Sequence, residues 1–256
     1  MNMLKDVIEI AIGAGKKVLE VYDKVYTIHE KEDMSPLTVA DQIAHEHIQV
    51  ELSKLNSMPL LSEEGAKIPF TERKDWSSFW LIDPLDGTKE FIKKNGEFTI
   101  NIALIKRGTP VLGVIYAPVL DTLYYAEKDK GAYKLSHAGS SLGRRTEKIT
   151  TSPTGEKKVV ISRSHLSEAT QDYINDLQLQ EGNLEFVSIG SSLKFCMIAE
   201  GCAHYYPRLD PTMEWDTAAG QIIVEEANGK VIVYDTGNPL VYNKECLTNP
   251  SFLCSM

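Results

Sequence analysis

One short stretch, WLIDPLDGT at Trp80–Thr88, constrains this chain more than any other part of the sequence. An apolar run, the pattern of a buried strand, ends at Asp83, and a second acid, Asp86, follows three residues later. Pro84 stiffens the turn between them and Gly87 permits unusual backbone angles, so the two carboxylates are held at a fixed spacing. The stretch therefore predicts a buried strand that ends in two like charges.

Two carboxylates held so close together indicate a bound cation. They repel each other, and one would be driven toward protonation unless a cation lies between them. A hard divalent ion such as Mg²⁺ takes oxygen ligands and commonly shares them with a phosphate, and the Leu85 carbonyl is a further candidate ligand. A short helix expected from Thr88 onward would present free N–H groups to an anion. The alternative is a merely structural turn, whereas a metal with phosphate accounts for every residue of the stretch.

Further acids stand at the ends of predicted elements elsewhere in the chain. Asp41 lies in the first turn of a predicted helix, Glu63 and Glu64 follow a short predicted strand, and Asp216 begins another predicted helix. Each of them alone is also explained as a helix cap, a dipole-stabilising acid or a solvated strand end. Together with the aspartate turn, they are candidates for one acidic cluster.

Bulk composition narrows the class of protein. The chain has 256 residues and a formal net charge of −9, which disfavours a nucleic-acid partner. No apolar run approaches the ~18–20 residues of a membrane span, and the N-terminus lacks the shape of a signal peptide. The four cysteines show no C-x-x-C spacing, so neither a zinc site nor a disulfide framework is indicated. A cytoplasmic protein with reduced thiols is expected.

The element pattern predicts two closely packed lobes. Residues 1–150 form an α+β lobe that contains the DPLDGT turn, with a helix over 3–22 and a second helix capped by Thr38 after SPLT. Residues 151–256 alternate strand and helix, as expected of an α/β lobe. The polar, Gly-, Ser- and Lys-rich segment 137–158 is the candidate boundary.

One similar motif points to different chemistry. Phosphatases that form an aspartyl phosphate use D-x-D-G-T, in which the first aspartate is a covalent nucleophile. Here the spacing is D-x-x-D-G-T, and the extra residue turns the first carboxylate in another direction. The motif also lies after 80 residues rather than near the start of a Rossmann-like domain. We therefore do not favour a covalent mechanism.

Three motifs occur in a recognisable order: E-E at 63–64, D-P-L-D-G-T at 83–88 and W-D-T-A-A-G at 215–220. This pattern resembles the lithium-sensitive, magnesium-dependent phosphatases of the inositol monophosphatase superfamily, and the resemblance covers essentially the whole chain. Longer stretches, among them SPLTVAD, VISRSH and IGSSLKFCMIAEG, are similar to the superfamily's bacterial 3′(2′),5′-bisphosphate nucleotidases. The resemblance implies a layered α–β–α–β–α sandwich.

The resemblance also implies a set of metal ligands. Glu63, Asp83 and the Leu85 carbonyl would hold one Mg²⁺, and Asp83, Asp86 and Asp216 would hold a second. Glu63 would help to place a third, weaker ion. Inhibition by lithium at one of these positions is expected.

The implied catalytic residues are Asp41, Glu63 and Thr88. Thr88, hydrogen-bonded to Asp41, would orient the attacking water together with Glu63. The water would displace the ribose oxygen in line, without a phosphoenzyme. Asp216 would guide protonation of the leaving group.

The choice of substrate is expected to lie in the C-terminal lobe. Relatives that act on inositol typically have GSA where this chain has Gly190-Ser191-Ser192, and an acid near the position of Arg208. Lys194 and Arg208 are instead cations, which suit a second phosphate better than a neutral polyol. The implied substrate contacts are Glu63, Leu85, Asp86, Gly87, Thr88, His165, Ser191, Lys194, Arg208 and Asp216.

Alternatives stay open for several of these residues. Lys194 and Arg208 are also explained as solvated charges, and His165 as a structural histidine. Asp210 and Glu214 add negative charge near Arg208 and would weaken an anion pocket if they faced into it.

The expected function is Mg²⁺-dependent hydrolysis of the 3′-phosphate of adenosine 3′,5′-bisphosphate to AMP and phosphate. The sulfated form of the nucleotide is a further candidate substrate, which would link the chain to sulfate assimilation. The alternatives are an inositol monophosphatase or broad sugar phosphatase, and a catalytically silent regulator that binds metal and nucleotide. The sequence leaves open the oligomeric state, the preference between 3′- and 2′-phosphates, and peripheral association with the cytoplasmic face of the inner membrane.

Overall fold

The structure is a computed structural model and describes residues 3–24, 36–65, 67–140, 143–152, 155–163 and 167–256. The helices of this part of the chain are α1 (Met3–Tyr22), α2 (Pro36–Leu55), α3 (Phe70–Arg73), α4 (Thr88–Ile92), α5 (Glu168–Glu181), α6 (Leu193–Ala199) and α7 (Glu214–Glu226). Its strands are β1 (Leu60–Ser62), β2 (Ser78–Asp86), β3 (Thr99–Lys106), β4 (Thr109–Ala117), β5 (Thr122–Glu127), β6 (Gly131–Ser136), β7 (Arg145–Ile149), β8 (Lys158–Ser162), β9 (Glu185–Ile189), β10 (Tyr205–Arg208), β11 (Lys230–Val233) and β12 (Phe252–Ser255).

The strands form two sheets. The first has seven strands in sequence order from β1 to β7, antiparallel except for the parallel pair of β1 and β2. The second has five strands in the order β11-β12-β10-β8-β9. In it β8 pairs in parallel with both β9 and β10, while β12 is antiparallel to its neighbours.

Helices cover both sheets and fill the space between them. The apolar stripes of α1 and α2 pack on one face of the first sheet, against side chains such as Trp80, Ile82 and Ile102. On its other face lies α7, which also contacts β11, and α6 joins α7 to β8, β10 and β12. Ile174 and Leu177 of α5 pack on Val159 at the outer side of the second sheet. This order of layers confirms the expected α–β–α–β–α sandwich.

Some local expectations differ from the structure. The helix over 3–22 is confirmed, but α2 begins at Pro36, ahead of the expected cap at Thr38, because proline suits the first turn of a helix. The polar segment at 137–158 contains the edge strand β7, in which only Ile149 is buried. Residues before 150 build the first sheet and residues after 157 build the second, while the division into two lobes stays a prediction. No helix within the described ranges has the length and apolar character to cross a membrane.

Candidate active site

The aspartate turn lies where the last residues of β2 break the register of the first sheet. Asp83 pairs with Asn101 and Asp86 with Thr99, so an advance of three residues along β2 corresponds to an advance of only two along β3. This bulge arises at Pro84-Leu85, where the Leu85 N–H donates to Asp83 Oδ1 at 3.1 Å. The turn expected from the sequence is therefore a bulged strand end at which the carboxylates of Asp83 and Asp86 influence each other.

Asp83 is a buried acid whose surroundings are acidic. Only 1% of the residue is exposed. Its pKa is raised well above the usual value, first by burial and then by the charges of Asp86, Glu63 and Asp216. An ionised carboxylate among like charges is costly unless a cation compensates it. This uncompensated charge fits a metal site that uses oxygen ligands.

The other predicted acids lie around this turn. Burial and the charge of Asp86 raise the pKa of Asp216, at the start of α7, to about 7. Glu63 is exposed to solvent over much of its surface, but its carboxyl lies against the cluster. Partial burial and the charges of Asp86 and Glu64 raise its pKa. Burial, with Glu64 and Glu63, also raises the pKa of Asp41 to about 7. Acids from distant parts of the chain thus converge.

The cluster is not a finished metal cage. Within the described ranges, no three His, Cys, Asp or Glu side chains are already arranged to hold an ion. The carboxylates nevertheless influence one another's pKa, as expected of like charges that share one region. The donor set, which consists of carboxylates and the Leu85 carbonyl, suits a hard divalent ion.

The hydroxyl of Ser192 joins the turn to the C-terminal half of the chain. It lies 2.7 Å from Asp86 Oδ2 and 3.1 Å from the carbonyl oxygen of Asp216, and it accepts from the Asn101 side-chain amide at 2.9 Å. Ser192 and Asn101 are both buried. Sequence reasoning missed these two residues, although the second serine of Gly-Ser-Ser was a visible signal.

Gly87 and Thr88 follow the turn as expected, but one predicted contact is not found. Gly87 has a φ of 98°, a left-handed conformation that favours glycine, and it immediately precedes the five-residue helix α4. The Thr88 side chain is exposed. The described part of the chain contains no hydrogen bond between Thr88 and Asp41, whose carboxyl is instead influenced by the charges of Glu64 and Glu63. The water-orienting role of this pair stays a prediction.

A cavity of about 250 Å³ opens beside the turn. Its lining includes the predicted residues Asp86, Gly87, Thr88, Ser191, Lys194, Arg208 and Asp216. Asp41, Glu63, Asp83 and Leu85 lie outside this lining, although Glu63 and Asp83 act electrostatically on residues within it. Acids and cations from both halves of the chain thus meet in one space.

Lys194 and Ser191 are neighbouring residues of the cavity lining. The Lys194 ammonium donates to the Ser191 carbonyl at 2.6 Å and lies 5.6 Å from the centre of the Tyr206 ring. Burial lowers the pKa of Lys194, while the charges of Asp86 and Glu90 oppose the shift. Ser191, at a φ of 47°, is buried in the same turn. The interpretation of Lys194 as a solvated helix lysine is therefore wrong.

Arg208, the last residue of β10, offers an unused donor. Its guanidinium lies 3.6 Å from Asp210, and Nη2 donates to the Pro211 carbonyl at 3.5 Å. Its buried Nε has no hydrogen-bond partner in the part of the chain that the structure describes. A buried donor without a partner is costly, and the Arg208 residue is part of the cavity lining.

The two acids near Arg208 behave differently. Asp210 pairs with the guanidinium and offsets part of its charge. Glu214 is fully buried and faces away from the cavity, because its carboxylate accepts from the Asn243 N–H at 2.6 Å and from the N–H and ammonium of Lys244. His165, the remaining predicted contact, lies outside the described residues.

Comparison with known proteins places the chain in a family of phosphatases. The family model described as the inositol monophosphatase family matches residues 2–254, so the chain belongs to that family. It is 46% identical over 254 residues to the 3′(2′),5′-bisphosphate nucleotidase CysQ of Salmonella typhimurium, covering 98% of each chain. It is 44% identical to the CysQ nucleotidase of Escherichia coli K12, covering 99% of this chain and 100% of the relative.

Solved structures agree with this assignment. CysQ from Bacteroides thetaiotaomicron, described as a bacterial member of the inositol monophosphatase family, matches with a TM-score of 0.92 and 45% identity, covering 98% of this chain and 96% of that one. Extragenic suppressor protein suhB from Bartonella henselae matches with a TM-score of 0.75 at 24% identity, covering 100% and 94%. The second match supports the fold alone.

Proposed function

We propose that the chain is a metal-dependent 3′(2′),5′-bisphosphate nucleotidase that removes the 3′-phosphate of adenosine 3′,5′-bisphosphate, giving AMP and phosphate. The observation that carries the proposal is one cavity whose lining includes two acids, Asp86 and Asp216, and two cations, Lys194 and Arg208, which we call its acidic and cationic sides. A substrate with two phosphates matches both sides. One phosphate would share metal ions with the acids, and the other would meet the cations.

The acids are the proposed holders of two or three Mg²⁺ ions, with Glu63, Asp83, Leu85, Asp86 and Asp216 as ligands. When bound, the metal lowers the pKa of a water molecule and offsets negative charge on the reacting phosphate. The burial of Asp83 supports this role, because its charge is otherwise opposed by every nearby acid.

The polypeptide itself orients the reaction. Thr88 at the cavity edge and Glu63 hold the attacking water, and Asp41 assists them. The water loses one proton as its oxygen forms a bond to phosphorus, the bond from phosphorus to the ribose 3′-oxygen breaks, and that oxygen takes up one proton near Asp216, so that the protons balance. Ser192 restrains Asp86, since its hydroxyl lies 2.7 Å from that carboxylate.

The remaining phosphate would contact the cationic side. Lys194 contributes charge from a buried position, and Ser191 contributes its hydroxyl on the same turn. Arg208 contributes the unpaired Nε. A phosphate accepts charge-assisted hydrogen bonds from these donors and carries the opposite charge, which an uncharged hydroxyl ring does not.

The alternative of an inositol monophosphatase or broad sugar phosphatase has less support. The relatives that are 40–46% identical over 98–99% of the chain carry the nucleotidase name, whereas the inositol monophosphatase structures are 20–25% identical. Inositol monophosphate also has no second phosphate to pair with the charges of Lys194 and Arg208.

A phosphate-release assay over a substrate panel tests the proposal. The panel contains adenosine 3′,5′-bisphosphate, its 2′,5′-isomer, its sulfated form, 3′-AMP and inositol 1-phosphate. Each substrate is assayed with Mg²⁺, with EDTA and with added Li⁺. We expect the highest kcat/KM on a bisphosphate, with loss of activity in EDTA and inhibition by Li⁺. Equal or higher kcat/KM on inositol 1-phosphate would contradict the nucleotidase, and absence of turnover with nucleotide binding retained would indicate a silent regulator.

A further inference from the structure

Glu97, in the loop between α4 and β3, bonds to two segments that are distant in sequence. Its Oε2 accepts from the backbone N–H of Gly190 at 2.8 Å, and the Arg163 guanidinium donates to both of its carboxylate oxygens, at 2.7 and 3.1 Å. Arg163 also donates to the Ser188 carbonyl at 2.9 Å. One carboxylate thus holds the ends of β8 and β9 together.

The main chain of Glu97 also packs between the two turns that line the cavity. A Cβ atom on Gly87, in the aspartate turn, would lie 3.1 Å from the Glu97 carbonyl oxygen. A Cβ atom on Gly190 would lie 2.8 Å from the same oxygen and 2.4 Å from Glu90 Cγ. Both turns therefore lie close to the Glu97 main chain. At Gly190 the approach is so close that any other residue would require the neighbouring atoms to move. The backbone of Glu97 contacts both turns, and its side chain fixes one of them.

The Gly190 N–H immediately precedes the residues of the cationic side. Ser191 follows at a φ of 47°, and its carbonyl accepts the hydrogen bond of the Lys194 ammonium. Releasing Gly190 would let this turn, and with it the Lys194 ammonium, shift relative to the acids of the aspartate turn. The Glu97 side chain thus bonds to the turn that holds the Lys194 ammonium.

We infer that Glu97 is a positioning residue that sets the distance between the two phosphate-binding sides of the cavity and so favours bisphosphates over monophosphates. The inference rests on the proposed function and deepens it. Glu97 contacts neither phosphate in this assignment and acts through Gly190. Arg163 holds the Glu97 carboxylate in place and offsets its negative charge beside an anionic substrate.

Two substrates that differ by one phosphate separate this role from a general structural one. Adenosine 3′,5′-bisphosphate uses both sides of the cavity, whereas 3′-AMP lacks the 5′-phosphate and uses only the acidic side. We expect Glu97→Ala to raise KM for the bisphosphate about tenfold, because Lys194 would no longer be held in place for its charge-assisted hydrogen bond to the second phosphate, with kcat and the constants for 3′-AMP changed less than about twofold. Equal losses on both substrates would overturn the inference.

Matched variants sharpen the test. Glu97→Gln keeps an acceptor for the Gly190 N–H and should recover much of the KM, whereas Arg163→Ala should raise the bisphosphate KM less than Glu97→Ala does. Glu9→Ala removes a comparable two-point pair with Arg144 at the surface and should leave both substrates unchanged. If Glu97→Ala does not fold, the other two variants decide. The inference is overturned if the ratio of KM for the bisphosphate to KM for 3′-AMP is unchanged in both Glu97→Gln and Arg163→Ala. It is supported if Arg163→Ala raises KM for the bisphosphate alone.

Binding separates failure of this inference from failure of the proposed function. AMP retains the 5′-phosphate, so calorimetry should show an affinity for AMP that is about tenfold weaker in Glu97→Ala than in the unmodified chain. Unmodified protein that releases no phosphate from any bisphosphate overturns the proposed function alone. Turnover by the unmodified protein with unchanged AMP affinity and KM in Glu97→Ala overturns the positioning role alone.

Discussion

The hydroxyl of Ser192 lies 2.7 Å from the carboxylate of Asp86, although the two residues are 106 positions apart in the chain. The same hydroxyl lies 3.1 Å from the Asp216 carbonyl and accepts from the Asn101 side chain. A buried serine therefore connects the end of β2, a neighbouring strand and the start of α7. It holds Asp86, an acid that is proposed to bind metal, beside the start of α7.

Replacing Ser192 by alanine should impair the metal site more than the fold. Groups that hold a metal ligand by a hydrogen bond typically contribute about 10–100-fold to metal affinity or activity. We expect Ser192→Ala to lower kcat/KM about tenfold and to raise the Mg²⁺ concentration for half-maximal activity, as measured by Mg²⁺ titration of phosphate release. Ser251→Ala removes a hydrogen bond to the Leu209 carbonyl and is the matched control. The same change in Mg²⁺ requirement in both variants would contradict this role.

Asp83→Asn should have opposite effects on activity and on the stability of the metal-free protein. The asparagine keeps an acceptor for the Leu85 N–H but removes a charge that burial and three other acids oppose. In EDTA we expect a higher Tm than in the unmodified protein, while turnover falls at least about a hundredfold. Melting curves with and without Mg²⁺, together with phosphate release, measure both effects. Asp172→Asn on the exposed side of α5 should alter neither quantity, and near-normal turnover in Asp83→Asn would place the metal elsewhere.

The metal-free protein should lose stability as the pH rises toward 8. The pKa values of Asp41 and Asp216 are raised to about 7 in the fold, first by burial. An acid whose pKa is higher in the folded than in the unfolded state stabilises the fold. This contribution is complete at pH values below the unfolded-state pKa, near 4, and is lost as the pH rises through the folded-state pKa of about 7. The gap in Tm between Mg²⁺-loaded and EDTA-treated protein should therefore widen from pH 5 to pH 8.

Comparing the two conditions removes unrelated titrations from this test. Burial lowers the pKa values of His45, His47 and His204, so each destabilises the fold as the pH falls below about 6.5. The unloaded and loaded proteins share these histidines, and the difference in Tm between them cancels most of their effect. Parallel curves of Tm against pH would show that the acids do not share a metal site.

Elements whose apolar residues recur at a regular spacing could be predicted from the sequence, whereas the polar edge strand β7 could not. The helix over 3–22 agrees with α1 because its buried side chains recur at helical spacing. By contrast, β7 buries only Ile149, so its residues show no alternation, and backbone pairing with β6 alone makes it a strand. The layered sandwich came from the resemblance to a known family, because periodicity alone does not specify the order of layers.

The same contrast holds at the site. Asp83 and Asp86 could be predicted because their spacing, the proline and the glycine are all local. The contacts of Ser192 with Asp86 and of Gly190 with Glu97 span 106 and 93 residues, and no local pattern encodes them. The expected bond between Thr88 and Asp41 was likewise a statement about two distant elements, and the described residues do not contain it.

Arg208 provides the sharpest test of the substrate. Its buried Nε lacks a partner in the described chain, and its guanidinium lies beside the cavity. A hydrogen bond to a charged group contributes about 1.5–3 kcal/mol, so Arg208→Gln should raise KM for adenosine 3′,5′-bisphosphate about 10–100-fold. The KM values for 3′-AMP and inositol 1-phosphate should change far less, since neither has a second phosphate. Arg208→Lys should recover part of the affinity, and Arg145→Gln on β7, where the side chain is 78% exposed, should have no effect. Similar losses on all three substrates would mean that Arg208 supports the fold of the site rather than recognition of the second phosphate.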